Sequence, residues 1–249
     1  MEDNLAVIII PARKNSTRLK NKLLLPVKGK PLIQWTAENC LRVKNADRVI
    51  VATDSVEIVE IFKDSPIETI LTPSNLRSGT DRVAFVARFL KEDKIVNVQG
   101  DEPLLNPHDI SNIINELENN DVITLSYPLK KEEDYINPNV VKVVIDRQGY
   151  ALYFSRSPIP FFRDINFTDM IQNFKNPVMK HIGVYGYEKS ILIRFAFNLK
   201  PSMYEQIEKL EQLRLLENGY KIKVLGASND TVGIDTEEDF KKFCELVDR

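Results

Sequence analysis

Short runs of β-branched residues alternate with stretches of helical period over the first 120 positions, the arrangement expected of βαβ units. Residues 5–10 form an unbroken apolar run rich in Ile and Val, suited to a parallel strand buried on both faces. After a polar loop, Leu32, Ile33, Trp35, Ala37, Cys40 and Leu41 recur at helical intervals behind Pro31, a residue that helix starts tolerate. Residues 48–52 predict a second strand. Thr53-Asp54-Ser55 then offers a cap for a helix carrying Ile58, Val59 and Phe62. Strand at 68–71, helix at 82–91, strand at 95–98 and helix at 107–118 continue the alternation.

The pattern changes near residue 120. Residues 122–127, 140–145 and 150–154 are strand-like runs in close succession, and Asp146-Arg147-Gln148-Gly149 predicts a hairpin turn between the last two. Residues 157–177, rich in Pro, Asn and Phe, show no period and predict an irregular excursion. A strand at 181–187 follows, then helices at 189–197 and 204–218. Ile207, Leu210, Leu213 and Leu216 mark the apolar face of the second helix, and Gly219 ends it. Strand at 222–225 and helix at 237–247 close the chain.

Composition narrows the class. The 249 residues are 43% hydrophobic and 28% charged, with net charge -2, so a coat of nucleic acid is not expected. Cys40 and Cys244 make no disulfide framework and fit a reducing compartment. The apolar run at 5–10 is far shorter than the ~20 residues that span a bilayer, and Glu2 and Asp3 lead it where a signal peptide would be basic. The expectation is a cytoplasmic protein without a membrane partner.

Charge is unevenly spread. Residues 4–37 contain no carboxylate but hold Arg13, Lys14, Arg18, Lys20, Lys22, Lys28 and Lys30, a local +7 on an acidic chain. Such a patch points to a specific anion. No G-x-G-x-x-G, Walker A or G-x-S-x-G pattern is present, and two histidines and two separated cysteines give little support for zinc. The loop Pro11-Ala12-Arg13-Lys14-Asn15-Ser16-Thr17-Arg18-Leu19-Lys20-Asn21-Lys22 directly follows the first strand, where open α/β sheets collect ligands. Its cations suit a triphosphate. Asp101, in Gln99-Gly100-Asp101-Glu102-Pro103, reaches the same sheet edge and is a natural Mg²⁺ ligand or a turn aspartate. Asp235 precedes the last helix; if Thr236 caps that helix, Asp235 is free for a metal.

Together the opening loop, Gly29-Lys30-Pro31-Leu32-Ile33, Ser78-Gly79-Thr80-Asp81-Arg82 and Gln99-Gly100-Asp101-Glu102-Pro103 resemble the sugar-acid cytidylyltransferases. Tyr150-Ala151-Leu152-Tyr153-Phe154-Ser155-Arg156, His181-Ile182-Gly183-Val184-Tyr185-Gly186-Tyr187, Glu208-Lys209-Leu210-Glu211-Gln212-Leu213-Arg214 and Gly233-Ile234-Asp235-Thr236 narrow the likeness. The narrower family is that of 3-deoxy-manno-octulosonate (Kdo) cytidylyltransferases, or CMP-Kdo synthetases. The likeness runs from about residue 6 to residue 240.

The resemblance implies one nucleotidyltransferase domain over 1–249. Its open, mostly parallel sheet carries helices on both faces, and a smaller α+β lobe for sugar binding and dimerisation is inserted at about 128–200. It implies CTP and Kdo as substrates, Mg²⁺ as cofactor, a homodimer, and a product, CMP-Kdo, destined for lipopolysaccharide. By the same resemblance Pro11, Ala12, Arg13, Ser16, Arg18, Lys22, Ser78, Gly79, Thr80, Arg82 and Gln99 surround the nucleotide. Lys22, Arg18, Asp101 and Asp235 are catalytic, the two aspartates as metal ligands. Gln99, Arg156, His181, Tyr185, Glu211 and Gln212 surround the sugar acid, with Arg156 suited to its carboxylate. Lys20 and Arg77 depart from the family's commoner proline and glutamine and add cation beside the nucleotide. The alternatives are the same chemistry on another acid sugar (8-amino-Kdo or a neuraminic acid), a UTP- or GTP-using nucleotidyltransferase, and a catalytically silent nucleotide sensor.

Overall fold

The computed structural model describes residues 5–14, 19, 21–231 and 233–248. Strand β1 (Ala6–Ala12) is buried at every position. Past the loop, a 3₁₀ turn (Lys22–Leu24) leads into a small ribbon of β2 (Pro26–Val27) and β3 (Lys30–Pro31), reversed through Lys28 and Gly29 at positive φ. Then come α1 (Leu32–Cys40), β4 (Arg48–Thr53), α2 (Val56–Ile61), β5 (Glu68–Leu71), α3 (Gly79–Ala87), β6 (Lys94–Asn97), α4 (Pro107–Glu116) and β7 (Val122–Pro128). Helix α5 (Glu132–Ile136), the hairpin β8 (Lys142–Ile145) and β9 (Ala151–Ser155), and α6 (Phe167–Asn173) form the insertion. The chain closes with β10 (Met179–Glu188), α7 (Lys189–Phe197), α8 (Met203–Glu208), α9 (Gln212–Glu217), β11 (Lys223–Gly226) and α10 (Glu237–Val247).

The main sheet runs β11-β7-β10-β6-β1-β4-β5. β1 pairs in parallel with β4 and β6, β4 with β5, and β11 with β7, whereas β10 is antiparallel to both neighbours. Successors of β1 lie on both of its sides, so the crossover direction reverses there and opens a crevice beyond the carboxyl ends of β1 and β6. The period of two along β1 sorts its side chains into two cores. Ala6, Ile8, Ile10 and Ala12 pack on the α1/α4 face, and Val7 and Ile9 on the α3/α7 face. On β10, Gly186 lies against α4: a Cβ there would collide with Ile113 Cγ2, so only glycine fits.

Several expected elements shift, each for a tertiary reason. Helix α3 begins three residues before the expected 82, because Ser78 Oγ accepts from Asp81 N at 3.1 Å. Ser55 precedes α2 without a side-chain cap; Thr53 Oγ1 accepts its N–H instead. The helix expected at 204–218 is two, broken at Lys209 with φ 55°. Arg156 Nε takes the Glu208 carbonyl at 2.7 Å, and a buried Arg214–Glu205 ion pair joins the halves. Ile207 is consequently exposed, while Leu210 and Leu213 stay buried. Gly219, with φ 80°, does end the second half.

The excursion at 157–177 contains α6, and α5 and the β2/β3 ribbon carry too little apolar pattern to be read from sequence. The hairpin turn is as expected: Asp146 Oδ1 accepts from Gln148 N and Tyr150 N, and Gly149 has φ 84°. The insertion expected at about 128–200 is continuous with the sheet: β8 pairs with β10, and β8, β9, β10 and α7 pack into the core on the α3 face. It has its own core of Leu129, Tyr135, Phe167, Met170 and Val178, with Phe162 stacked on Tyr135; Phe161 and Phe174 face outward. Among the described residues no helix is long and apolar enough to cross a membrane.

Candidate active site

Three residues far apart in sequence meet at the crevice. Lys22, in the 3₁₀ turn after the loop, donates through Nζ to Asp101 Oδ2 and, at 2.8 Å, to Asp235 Oδ1. Asp101 arrives from the loop after β6, and its carbonyl accepts from Ile234 N at 2.9 Å, tying the two aspartate loops together. Asp235 is released for this role because Thr236 and Asp239 form the capping box of α10. Burial works against the Lys22 ammonium, but Asp101 and then Asp235 outweigh it, so its pKa stands above the ordinary lysine value.

Glu102 sits beside them with Oε2 sealed from solvent and, among the described residues, without a hydrogen-bond partner. Burial, reinforced by Asp101, pushes this carboxyl up to about 8, so it is largely protonated at neutral pH. Gly233 lets the chain pass close to this carboxyl: a Cβ there would stand 2.7 Å from Glu102 Oε1.

The neighbouring face of the sheet holds a cavity of about 540 Å³. Every residue expected around the sugar (Gln99, Arg156, His181, Tyr185, Glu211 and Gln212) lines it, as do Gly79 and Thr80. Lys22, Asp101 and Asp235 are not in the lining; Gln99 belongs to it and stands two residues before Asp101. Gln99 donates to Asn97 Oδ1 at 3.0 Å and packs against Gly79, where a Cβ would lie 3.1 Å from Gln99 Oε1 and 3.3 Å from Pro11 Cγ.

Residues 181, 183, 185 and 187 of β10 all line the cavity, and the strand carries a bulge between Ile182 and Tyr185. Thr124 Oγ1 lies 2.9 Å from Val184 O, 3.1 Å from Ile182 O and 3.0 Å from His181 Nε2. With its single proton given to a carbonyl, Thr124 accepts from Nε2–H, which leaves His181 Nδ1 the acceptor. The Tyr185 hydroxyl is buried beside Thr124.

Burial pulls the His181 imidazole down to about 3, so it is neutral through the physiological range. Its folded pKa lies below the unfolded value. The unfolded chain therefore binds the extra proton first, and native stability drains away as pH falls from about 6.5 towards 3. In urea unfolding between pH 7 and pH 4.5, the stability lead of the native chain over His181→Gln should narrow on acidification. A constant gap would contradict a neutral, buried His181.

Other expected residues take supporting positions. Arg82 is fully buried and turned away from the cavity, bound to Thr72 Oγ1 and, at 3.0 Å, to Asp54 Oδ2. Asp54 Oδ1 also accepts from Lys14 N, so Arg82 anchors the loop from behind. Pro11 and Ala12 are the buried end of β1, Ser78 caps α3, and Arg13 keeps a sealed Nη2 without a partner among the described residues. Ser16, Arg18 and Lys20 lie outside the described residues.

Part of the +7 patch faces elsewhere: Lys28 reaches Asp248 at 3.4 Å, Lys30 pairs with Glu38, and Lys14 with Glu57. Arg77 is paired with Asp81 at 3.0 Å on the flank of α3. Asn97, Lys209 and Leu210 line the cavity without having been expected there; the break at Lys209, invisible to periodicity, brings the last two in.

A family model described as Cytidylyltransferase matches residues 7–222. A 3-deoxy-manno-octulosonate cytidylyltransferase of Chloroherpeton thalassium is 44% identical over 247 residues, covering 97% of each chain. The chain belongs to the 3-deoxy-manno-octulosonate cytidylyltransferase family. Another such relative, from Thermodesulfovibrio yellowstonii, is 45% identical over 245 residues and covers 94% of this chain and 95% of its own. Among solved structures, a CMP:2-keto-3-deoxy-manno-octonic acid synthetase complexed with CTP superimposes with a TM-score of 0.89 at 35% identity, covering 98% of both chains. A 4-diphosphocytidyl-2C-methyl-D-erythritol synthase from Anaerococcus prevotii, 17% identical with a TM-score of 0.64, shares the fold. In this family setting the mixed sheet is a nucleotidyltransferase sheet, and the chain is an enzyme of the cytidylyltransferase class.

Proposed function

We propose that this chain joins CTP to Kdo, giving CMP-Kdo and pyrophosphate, and that its product is the activated Kdo used in lipopolysaccharide assembly. The observation that carries the reading is the meeting of Lys22, Asp101 and Asp235 beside the cavity lined by Arg156. The sugar's anomeric hydroxyl attacks the α-phosphorus of CTP, a new C–O–P link forms, and the bond to the β-phosphate oxygen breaks. Lys22 offsets the charge that grows on the phosphate oxygens. Arg156, His181, Tyr185, Glu211 and Gln212 orient the acid sugar, and Gln99 stands between sugar and nucleotide.

The donor set suits Mg²⁺, which takes one or two carboxylates and completes its shell with phosphate and water. Asp101 and Asp235 already converge on one cation, the Lys22 ammonium. Bound by those two aspartates, Mg²⁺ would supply Lewis-acid stabilisation and lower the pKa of the attacking hydroxyl. The outward-facing Phe161 and Phe174 of the insertion support pairing of two copies. A pyrophosphate-release assay crossing CTP, UTP, GTP and ATP with Kdo, 8-amino-Kdo and neuraminic acid tests the proposal. Turnover is expected with CTP and Kdo and is lost with EDTA. Preference for another pair, or CTP binding without turnover, would overturn it.

A further inference from the structure

We propose that Lys142 is a positioning residue for the acid sugar, its buried ammonium fixing the backbone on which the Arg156 guanidinium is aimed at the cavity. The inference rests on the assignment of Arg156 to the sugar carboxylate. Lys142 on β8 is fully buried, and its Nζ donates to Arg156 O at 2.6 Å, Val140 O at 2.6 Å and Asn137 O at 3.0 Å. All three ammonium protons are thereby spent on carbonyls.

Arg156 closes the same unit from the other side. Its Nε donates to Glu208 O at 2.7 Å, Nη1 to Pro138 O at 3.1 Å and Nη2 to Lys209 O at 3.5 Å. Glu208 returns the contact, accepting from Arg156 N at 2.9 Å and Ser155 Oγ at 2.6 Å. Segment 137–140, the end of β9 and the αL break at Lys209 are thus tied around one arginine that lines the cavity. Three of its five N–H groups are occupied, which leaves two for a carboxylate. Burying a cation costs stability, and an apolar side chain would serve packing alone at lower cost. Burial lowers the Lys142 pKa to about 8 despite the opposing Glu208 carboxylate, a measure of how far the ammonium is withdrawn from water.

Lys142→Met keeps the length of the side chain and removes its donors. The expected result is a rise of about tenfold or more in KM for Kdo, the scale on which supporting contacts act, with KM for CTP within about twofold of the parent. Arg156→Met, made in parallel, should raise the same KM, and the double variant should be no worse than Arg156→Met alone. Equal rises in both KM values, no rise, or additive losses would overturn the role of Lys142. An unchanged Kdo KM in Arg156→Met would instead remove the Arg156 assignment, and the proposal with it. If thermal melting shows that Lys142→Met does not fold, Lys142→Arg carries the test: a selective rise in Kdo KM supports the role, and no rise or an unselective one overturns it.

Discussion

Asp101→Asn is expected to lose at least ~10²-fold in kcat while folding normally, because on the proposed role it removes the charge of a metal ligand, and loss of contacts behind such a ligand already costs about 10- to 100-fold. Stability should not follow activity down. Two carboxylates share the Lys22 ammonium in the native protein, so neutralising Asp101 keeps the Lys22–Asp235 pair. Its thermal midpoint should equal or exceed that of the parent. Pyrophosphate release measured beside a melting curve checks both halves. Near-normal turnover would remove Asp101 from the chemistry, and a collapsed melting temperature would make it a structural residue.

Lys22→Met reverses that pattern. Removing the ammonium leaves Asp101 and Asp235 facing each other in a half-buried crevice, where like charges repel strongly. Turnover should fall by ~10²–10³, the cost of losing one preorganised charge partner of the transition state. The chain should also melt earlier, and Mg²⁺ should raise its melting temperature by more than it raises the parent's, since the cation then meets two aspartates without competition from lysine. Equal metal responses in parent and variant would contradict a shared cation position.

Strands β1, β4 and β6 were legible because burial on both faces writes continuous Val/Ile runs, and α7 and α10 because their apolar periods were complete. What escaped was set by contacts distant in sequence. The break at Lys209 depends on Arg156 capturing the Glu208 carbonyl, which no helical period records. The interior place of Arg82 depends on Asp54 and Thr72, residues on other elements that shield its charge. The site was legible as a set of residue types through family likeness, while its geometry was not. Lys22 and Asp235 are 213 positions apart, and it is the tertiary fold, with Ile234 N held on the Asp101 carbonyl, that brings them to 2.8 Å. Lys142 gave no signal at all, since a lysine in a strand reads as a solvated position until its three carbonyl partners are seen.

Crystals grown with CTP and Mn²⁺, with anomalous scattering collected for the metal, test the joint role of Lys22, Asp101 and Asp235 most directly. The account predicts a metal peak at ligand distance from both aspartates, with the triphosphate against it and Lys22 turned towards a phosphate oxygen. A triphosphate bound away from Lys22, or a metal that neither aspartate touches, would contradict it.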